Sequence, residues 1–138
     1  MIGRQTYKKE ERLKSRKVIK QLFYSGESFL VHPVKVNWLL RKDKGRYPAR
    51  MMISISRKNF RKASDRNYLK RLCREAYRKN KHILYSFLAK KQLQCDLSLV
   101  YIGKEAIEYS MLEEKIIKLL QRLTREIENN QHQNNPTP

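Results

Sequence analysis

The sequence predicts a single α/β domain, and three observations carry that prediction. Segments whose apolar residues recur at helical spacing are interleaved with segments of period two. The chain has 138 residues, enough for one hydrophobic core and short for two. No internal repeat divides it into modules.

Residues 1–10 are polar and basic and read as an arm. In SRKVIKQLFYSG, Val18, Ile19, Leu22 and Phe23 fall at helical spacing, with Ser15 placed to cap the helix and Gly26 to end it. ESFLVHPVKVNWLLRK breaks at Pro33, after which Val34, Val36 and Trp38 alternate with Lys35 and Asn37, the period of a strand. DKGRYP supplies a turn. ARMMISIS sets Met51, Ile53 and Ile55 against Met52, Ser54 and Ser56, which describes a third strand with one packing face and one small, polar face able to admit a ligand. Residues 65–81 read as a second helix, and CDLSLVYIG, rich in β-branched and apolar residues, as a fourth strand. SMLEEKIIKLLQRLTREIE opens with Ser110 and Glu113 at capping-box spacing and carries Leu112, Ile116, Leu119, Leu120, Leu123 and Ile127 along one side. The polar end of the chain, with its prolines, reads as a disordered tail over 129–138, leaving one domain over 1–128.

Charge points to a partner. The 32 Lys and Arg against 13 Asp and Glu give a net charge of +19, and such an excess destabilises a compact chain by self-repulsion unless a polyanion neutralises it. The excess is local: the first 103 residues hold 27 basic and 7 acidic side chains, and from Arg57 to Lys81 eleven Lys or Arg face only Asp65 and Glu75. No apolar run is long enough to span a bilayer, and MIGRQTYKKEERLK lacks the apolar stretch of a secretory signal. The expectation is a cytoplasmic protein with no membrane partner, in which Cys73 and Cys95 stay reduced. His32, His82 and His132 have no Cys or carboxylate at metal-ligand spacing, and no nucleophile motif or Gly-rich phosphate loop occurs. Neither a catalytic residue nor a metal site is expected on the protein.

At 100° per residue, Arg66, Asn67, Lys70, Arg71, Arg74 and Arg78 fall within an arc of about 140° on the second helix. Leu69, Leu72, Cys73, Ala76 and Tyr77 take the opposite side, so packing would hold the basic row rigid. Like charges at i, i+4 repel, and cations in a first helical turn oppose the macrodipole. An arrangement that works against stability indicates an anion-binding face. The guanidinium fork favours phosphate, and SRKNFRK adds Arg57, Lys58 and Arg61 just before the helix. A structural RNA binder of ribosomal type shares these features. A DNA or membrane-surface binder fits less well, because entering lipid would pull the apolar face out of the core.

RNYLKRLCREAYR resembles the hallmark Arg-Asn-x-x-Lys-Arg-x-x-Arg helix of the bacterial ribonuclease P protein subunit. SRKNFRKASD before it, and RLKSRKVIKQLF with the turn at Gly26, extend the resemblance over roughly residues 12–127. The resemblance implies a two-layer sandwich akin to the second domain of ribosomal protein S5, with a four-stranded sheet and three helices in the order αβββαβα. It also implies a left-handed β-α-β crossover, where chirality rules alone predict a right-handed one. By the same resemblance the chain would be the small subunit of a ribonucleoprotein endonuclease that removes the 5′ leader from precursor tRNA. The large RNA, using Mg²⁺, would perform the hydrolysis, and no obligate protein partner is implied. Arg66, Asn67, Lys70, Arg71 and Arg74 would contact the catalytic RNA, with Arg57, Lys58, Arg61 and Arg78 extending that surface. The leader would lie in a cleft between the first helix and the sheet, lined by Ile19, Phe23, Lys35 and Asn37, where aromatic rings stack on bases. Ile19 stands where many members carry an aromatic residue and Asn37 where Tyr is common, and Ile19 and Phe23 fit a core stripe equally well.

Overall fold

The computed structural model describes residues 7–42 and 45–134. The elements are α1 (Arg16–Ser25), β1 (Glu27–Val31), β2 (Val34–Arg41), β3 (Ala49–Ile55), α2 (Ala63–Asn80), α3 (His82–Lys91), β4 (Gln94–Tyr101) and α4 (Tyr109–Asn134). The strands form one mixed sheet in the order β1-β2-β4-β3. β2 pairs antiparallel with both β1 and β4, whereas β3 and β4 are parallel. Parallel neighbours need a long crossover, and α2 with α3 supplies it.

Alternation in the strands divides the sheet into two unlike faces. One carries Phe29, Val34, Val36, Trp38, Met51, Ile55, Leu97, Leu99 and Tyr101, buried against α2 and α4 through Leu69, Cys73, Tyr77, Leu112, Ile116, Leu119, Leu120 and Leu123. The other carries Lys35, Asn37, Asp96, Ser98 and Ser54 and is crossed by α1, whose Leu22 is fully buried. Ser15 caps α1 as expected, accepting from Val18 N at 3.4 Å. At its end a Cβ on Gly26 would sit 2.3 Å from Leu22 O and 2.7 Å from Trp38 O, so this close approach requires glycine.

The structure departs from expectation in four places. Among the described residues it has four α-helices, not three. α3 continues from α2 with Lys81 in helical conformation as the shared residue, and it ends at Gln92 in the left-handed region, φ 57°. No glycine or proline separates the two helices, and Ile83, Leu84, Tyr85, Phe87 and Leu88 form a near-continuous apolar run without a clear period. Secondly, α4 begins at Tyr109 with Leu112 N bonded to Glu108 O, and the Glu113 carboxylate accepts from Asn80 Nδ2 at 3.0 Å instead of closing a box with Ser110. Thirdly, α4 runs on to Asn134, so residues 129–134 of the expected tail are helical. An established helix adds residues at little cost, which carries polar side chains past the buried Ile127. Residues 135–138 lie outside the described range.

The fourth departure concerns the arm. Residues 1–6 lie outside the described range, but residues 7–13 are docked along edge strand β3. Tyr7 donates to Met51 O at 2.7 Å and stacks edge-on against Tyr77, with ring centroids 5.9 Å apart. Glu11 is fully buried, accepting from Lys8 N at 2.6 Å and from the Tyr85 hydroxyl at 2.5 Å, and it is paired with Lys81.

Candidate nucleic-acid interface

The basic row of α2 stands on a fixed underside. Leu69, Cys73, Ala76 and Tyr77 are buried to within 2% of full coverage, with Leu72 half-buried at the margin. Asn67, Arg71 and Arg74 are exposed and Lys70 is half-buried. None of these four side chains makes a hydrogen bond or ion pair with any described residue. Their donors are therefore available to a ligand.

Two other members of the row have internal work. Arg66 donates through Nη1 to Phe60 O at 2.8 Å and Arg61 O at 2.9 Å, which binds the helix start to the preceding loop. Arg78 forks onto Glu75 through Nε at 3.1 Å and Nη2 at 2.6 Å, and Lys79 lies 3.8 Å from the same carboxylate. The hydrogen bond from Arg78 holds the Glu75 carboxyl below its usual range.

Sequence reasoning missed what anchors the loop that presents Arg57, Lys58 and Arg61. Asn59 Nδ2 donates to Ile102 O at 2.9 Å, and the Phe60 ring meets Tyr101 edge-on at 5.8 Å. Ser56 N donates to Tyr101 O at 3.1 Å, completing the attachment to the end of β4. Asn59 is the sole amide amid the cations of SRKNFRK, and that contrast was the available signal. Arg57, Lys58 and Arg61 are all exposed.

On the opposite face, strand register locates α1. Met51, Leu97 and Trp38 share one rung across β3, β4 and β2. Leu13 N, just before the helix, donates to Met51 O at 3.0 Å, and Gly26 at its end lies against Trp38 O. α1 therefore crosses the sheet along that rung. To one side lie the pairs Asn37–Ser98 and Lys35–Val100; to the other lies the rung Leu39–Asp96–Arg50. Val18, Gln21 and Ser25 line a cleft with Leu39, Arg50 and Asp96 on the latter side. Helical spacing puts Ile19 and Phe23 on the other flank, toward Asn37 and Lys35.

Phe23 is 47% exposed and Ile19 half-buried, so Phe23 is not a core residue. Lys35 is exposed, while Asn37 is 7% exposed and Ser98 fully buried. Asn37 Oδ1 and Ser98 Oγ have no hydrogen-bond partner among the described residues. Cys73 and Cys95 are unpaired with each other, and burial pushes each thiol up to about 12, so neither is a nucleophile near neutral pH.

Comparison with known proteins agrees with this arrangement. The Ribonuclease P family profile matches residues 7–124. The ribonuclease P protein component of Porphyromonas gingivalis is 35% identical over 115 residues, covering 83% of this chain and 84% of that one. The corresponding protein of Chlorobium phaeobacteroides is 30% identical over 126 residues, covering 84% and 86%. Among solved structures, the RNase P protein from Thermotoga maritima superposes with a TM-score of 0.64 at 30% identity, covering 81% of this chain and 96% of that one. The RNase P protein of Staphylococcus aureus shares the fold, with a TM-score of 0.68 at 20% identity over 83% of this chain and 96% of that one. A basic helix held rigid over a mixed sheet, a cleft beneath the first helix and a match across most of the length agree: the chain belongs to the ribonuclease P protein family.

Proposed function

We propose that α2 and the loop before it form the surface that grips the large RNA of ribonuclease P, and that the Ile19–Phe23 flank of α1 forms the groove for the precursor leader. Ribonuclease P is the endoribonuclease of tRNA 5′ processing, and the chain is of its protein-component type. One observation carries the residue assignment: Asn67, Lys70, Arg71 and Arg74 project from a helix whose underside is fully packed, and no described residue engages their donors. Preorganised cations bind phosphate without first losing side-chain partners, and planar Arg groups add bidentate geometry. Arg57, Lys58 and Arg61 widen the same surface, Arg66 orders it, and Arg78 contributes less while it holds Glu75.

In the groove, Phe23 offers a half-exposed ring for stacking, Ile19 an apolar wall, Lys35 a phosphate contact and Asn37 an amide on the floor. The protein serves as a positioning subunit. Hydrolysis belongs to the RNA with Mg²⁺, and the protein works in the cytoplasm with precursor tRNA as substrate and no obligate protein partner. We further assign the described residues, through the end of α4, to one domain and a left-handed hand to the β3-α2-α3-β4 crossover, as in the second domain of ribosomal protein S5. The test is cleavage: with its cognate large RNA at low Mg²⁺, the protein stimulates release of the 5′ leader from precursor tRNA. Unchanged cleavage in the presence of bound protein would overturn the assignment.

A further inference from the structure

α1 leaves a second cleft on the sheet, on the flank turned away from Ile19 and Phe23. It encloses about 610 Å³ between Val18 and Gln21 of α1 and Leu39, Arg41, Lys42 and Arg50 of the sheet, a size suited to a nucleotide. Its floor is built. Arg50 forks onto Asp96 at 2.7 and 2.8 Å, Asp96 is 3% exposed, and Arg41 Nη2 donates to Tyr47 O at 2.7 Å. Three cations meet one carboxylate in this lining, so the cleft keeps a positive surplus beside apolar walls and the uncharged hydrogen-bonding groups of Gln21 and Ser25. That mixture suits a base carrying a phosphate and suits a purely apolar ligand poorly. Between the two clefts stands the tip of α1, where Tyr24 is 93% exposed next to Phe23. A ring so placed buries nothing in the fold.

We propose that the leader strand, having crossed the Ile19–Phe23 groove, passes the tip of α1 over Tyr24 and sets a further nucleotide in this second cleft. Lys42 and the Arg41–Arg50 floor face its phosphate, and Val18 and Leu39 face its base. A helix is about 10 Å across, so a few nucleotides suffice to round it. The inference rests on the leader-groove reading, and the experiment separates the two.

The reconstituted holoenzyme is titrated with mature tRNA, with a precursor whose leader spans only the first groove, and with one whose leader is several nucleotides longer. The longer leader binds about tenfold more tightly than the short one, the scale of one well-held base. Lys42→Ala and Gln21→Ala, both at exposed positions, abolish that increment and leave the short leader and mature tRNA unaffected. Tyr24→Ala reduces it. Phe23→Ala weakens both precursors; if it does not, the first groove is misassigned whatever the second cleft does. Absence of any increment, or its survival in Lys42→Ala and Gln21→Ala, overturns the proposal. An equal loss across both precursors and mature tRNA also overturns it, by assigning the cleft to the large RNA.

Discussion

Replacing Arg71 with Ala should flatten the salt dependence of RNA binding, whereas replacing Arg78 should flatten it much less. The two side chains share a helix face but differ in what they already hold. Arg71 is exposed and engages no described residue, while Arg78 is forked onto Glu75 at 3.1 and 2.6 Å. Each phosphate neutralised by a cation adds about 0.7 to 0.9 to the slope of log affinity against log salt. If Arg57, Lys58, Arg61, Lys70, Arg71 and Arg74 each meet one phosphate, the slope is about −4 to −5. A fourfold rise in salt then weakens binding several hundredfold, of which one contact accounts for about threefold. Arg71→Ala removes one such step, and Arg78→Ala removes a charge that Glu75 already opposes.

Glu75→Gln makes the converse test, because it releases Arg78 and Lys79 from the carboxylate and should steepen the slope by up to one contact. The sign of the pH effect follows. A carboxyl held low by its Arg78 hydrogen bond stabilises the fold above the ordinary carboxylate range and loses that contribution as pH falls through the lowered value. Its side chain is 42% exposed, so solvent screens the stability term heavily and the effect belongs to RNA affinity. Fluorescence anisotropy of labelled large RNA across a salt series, at fixed Mg²⁺, measures all three variants. An unchanged slope in Arg71→Ala would remove the ridge from the interface, and equal flattening by Arg71→Ala and Arg78→Ala would refute the claim that Glu75 withholds Arg78 from RNA.

Phe23→Ala should leave the urea midpoint nearly unchanged, since the ring is 47% exposed, and should cost precursor tRNA about tenfold in affinity with little change for mature tRNA; unfolding of the variant would return Phe23 to the core. Glu11→Ala strips a buried pair from Lys81, whose side chain is 12% exposed, and should lower stability by about 3 kcal/mol in urea titrations; an unmoved midpoint would refute that role. Cys73 and Cys95 should resist alkylation in the native protein at about pH 8 and react once it is unfolded, as read by mass spectrometry. Because burial raises both thiols from 9.0 to about 12, their contribution to stability is complete below 9.0 and falls as pH climbs from there toward 12.

The features legible in the sequence were those written locally. Ser15 and Gly26 delimit α1 because a cap and a close backbone approach act within a few residues of the helix they end. The underside of α2 was readable because one helical period sorts Leu69, Cys73, Ala76 and Tyr77 from the cations. What escaped depends on distant partners. Glu11 looks like one more surface charge just after the polar arm until Lys81, 70 positions away, meets it. Asp96 sits in an apolar strand, and its burial is explained by Arg50, 46 positions earlier, with Arg41 Nε 3.8 Å from the same carboxylate. Asn59 anchors its loop by reaching Ile102 O, 43 positions on. The partition of the sheet face by α1 was equally out of reach, since it follows from the rung joining Met51, Leu97 and Trp38.

These long-range pairs also show how the chain bears its charge. Two of its acids, Glu11 and Asp96, are buried and matched to Lys81 and Arg50 at the N-terminal strap and the α1 face. A buried carboxylate without such a partner would be strongly destabilising, so Lys81 and Arg50 are held within the fold and add nothing to the α2 ridge proposed to grip the large RNA. Arg66 is divided differently. Its first-turn position opposes the helix dipole, yet its Nη1 bonds to Phe60 O and Arg61 O bring the loop of Arg57, Lys58 and Arg61 onto the same surface as Lys70, Arg71 and Arg74. The net charge of +19 therefore overstates the binding surface, and the effective count is the set of α2 and loop cations that no described acid engages. Those repel one another in the free protein, and a phosphate backbone removes that repulsion at the same positions where it makes its contacts.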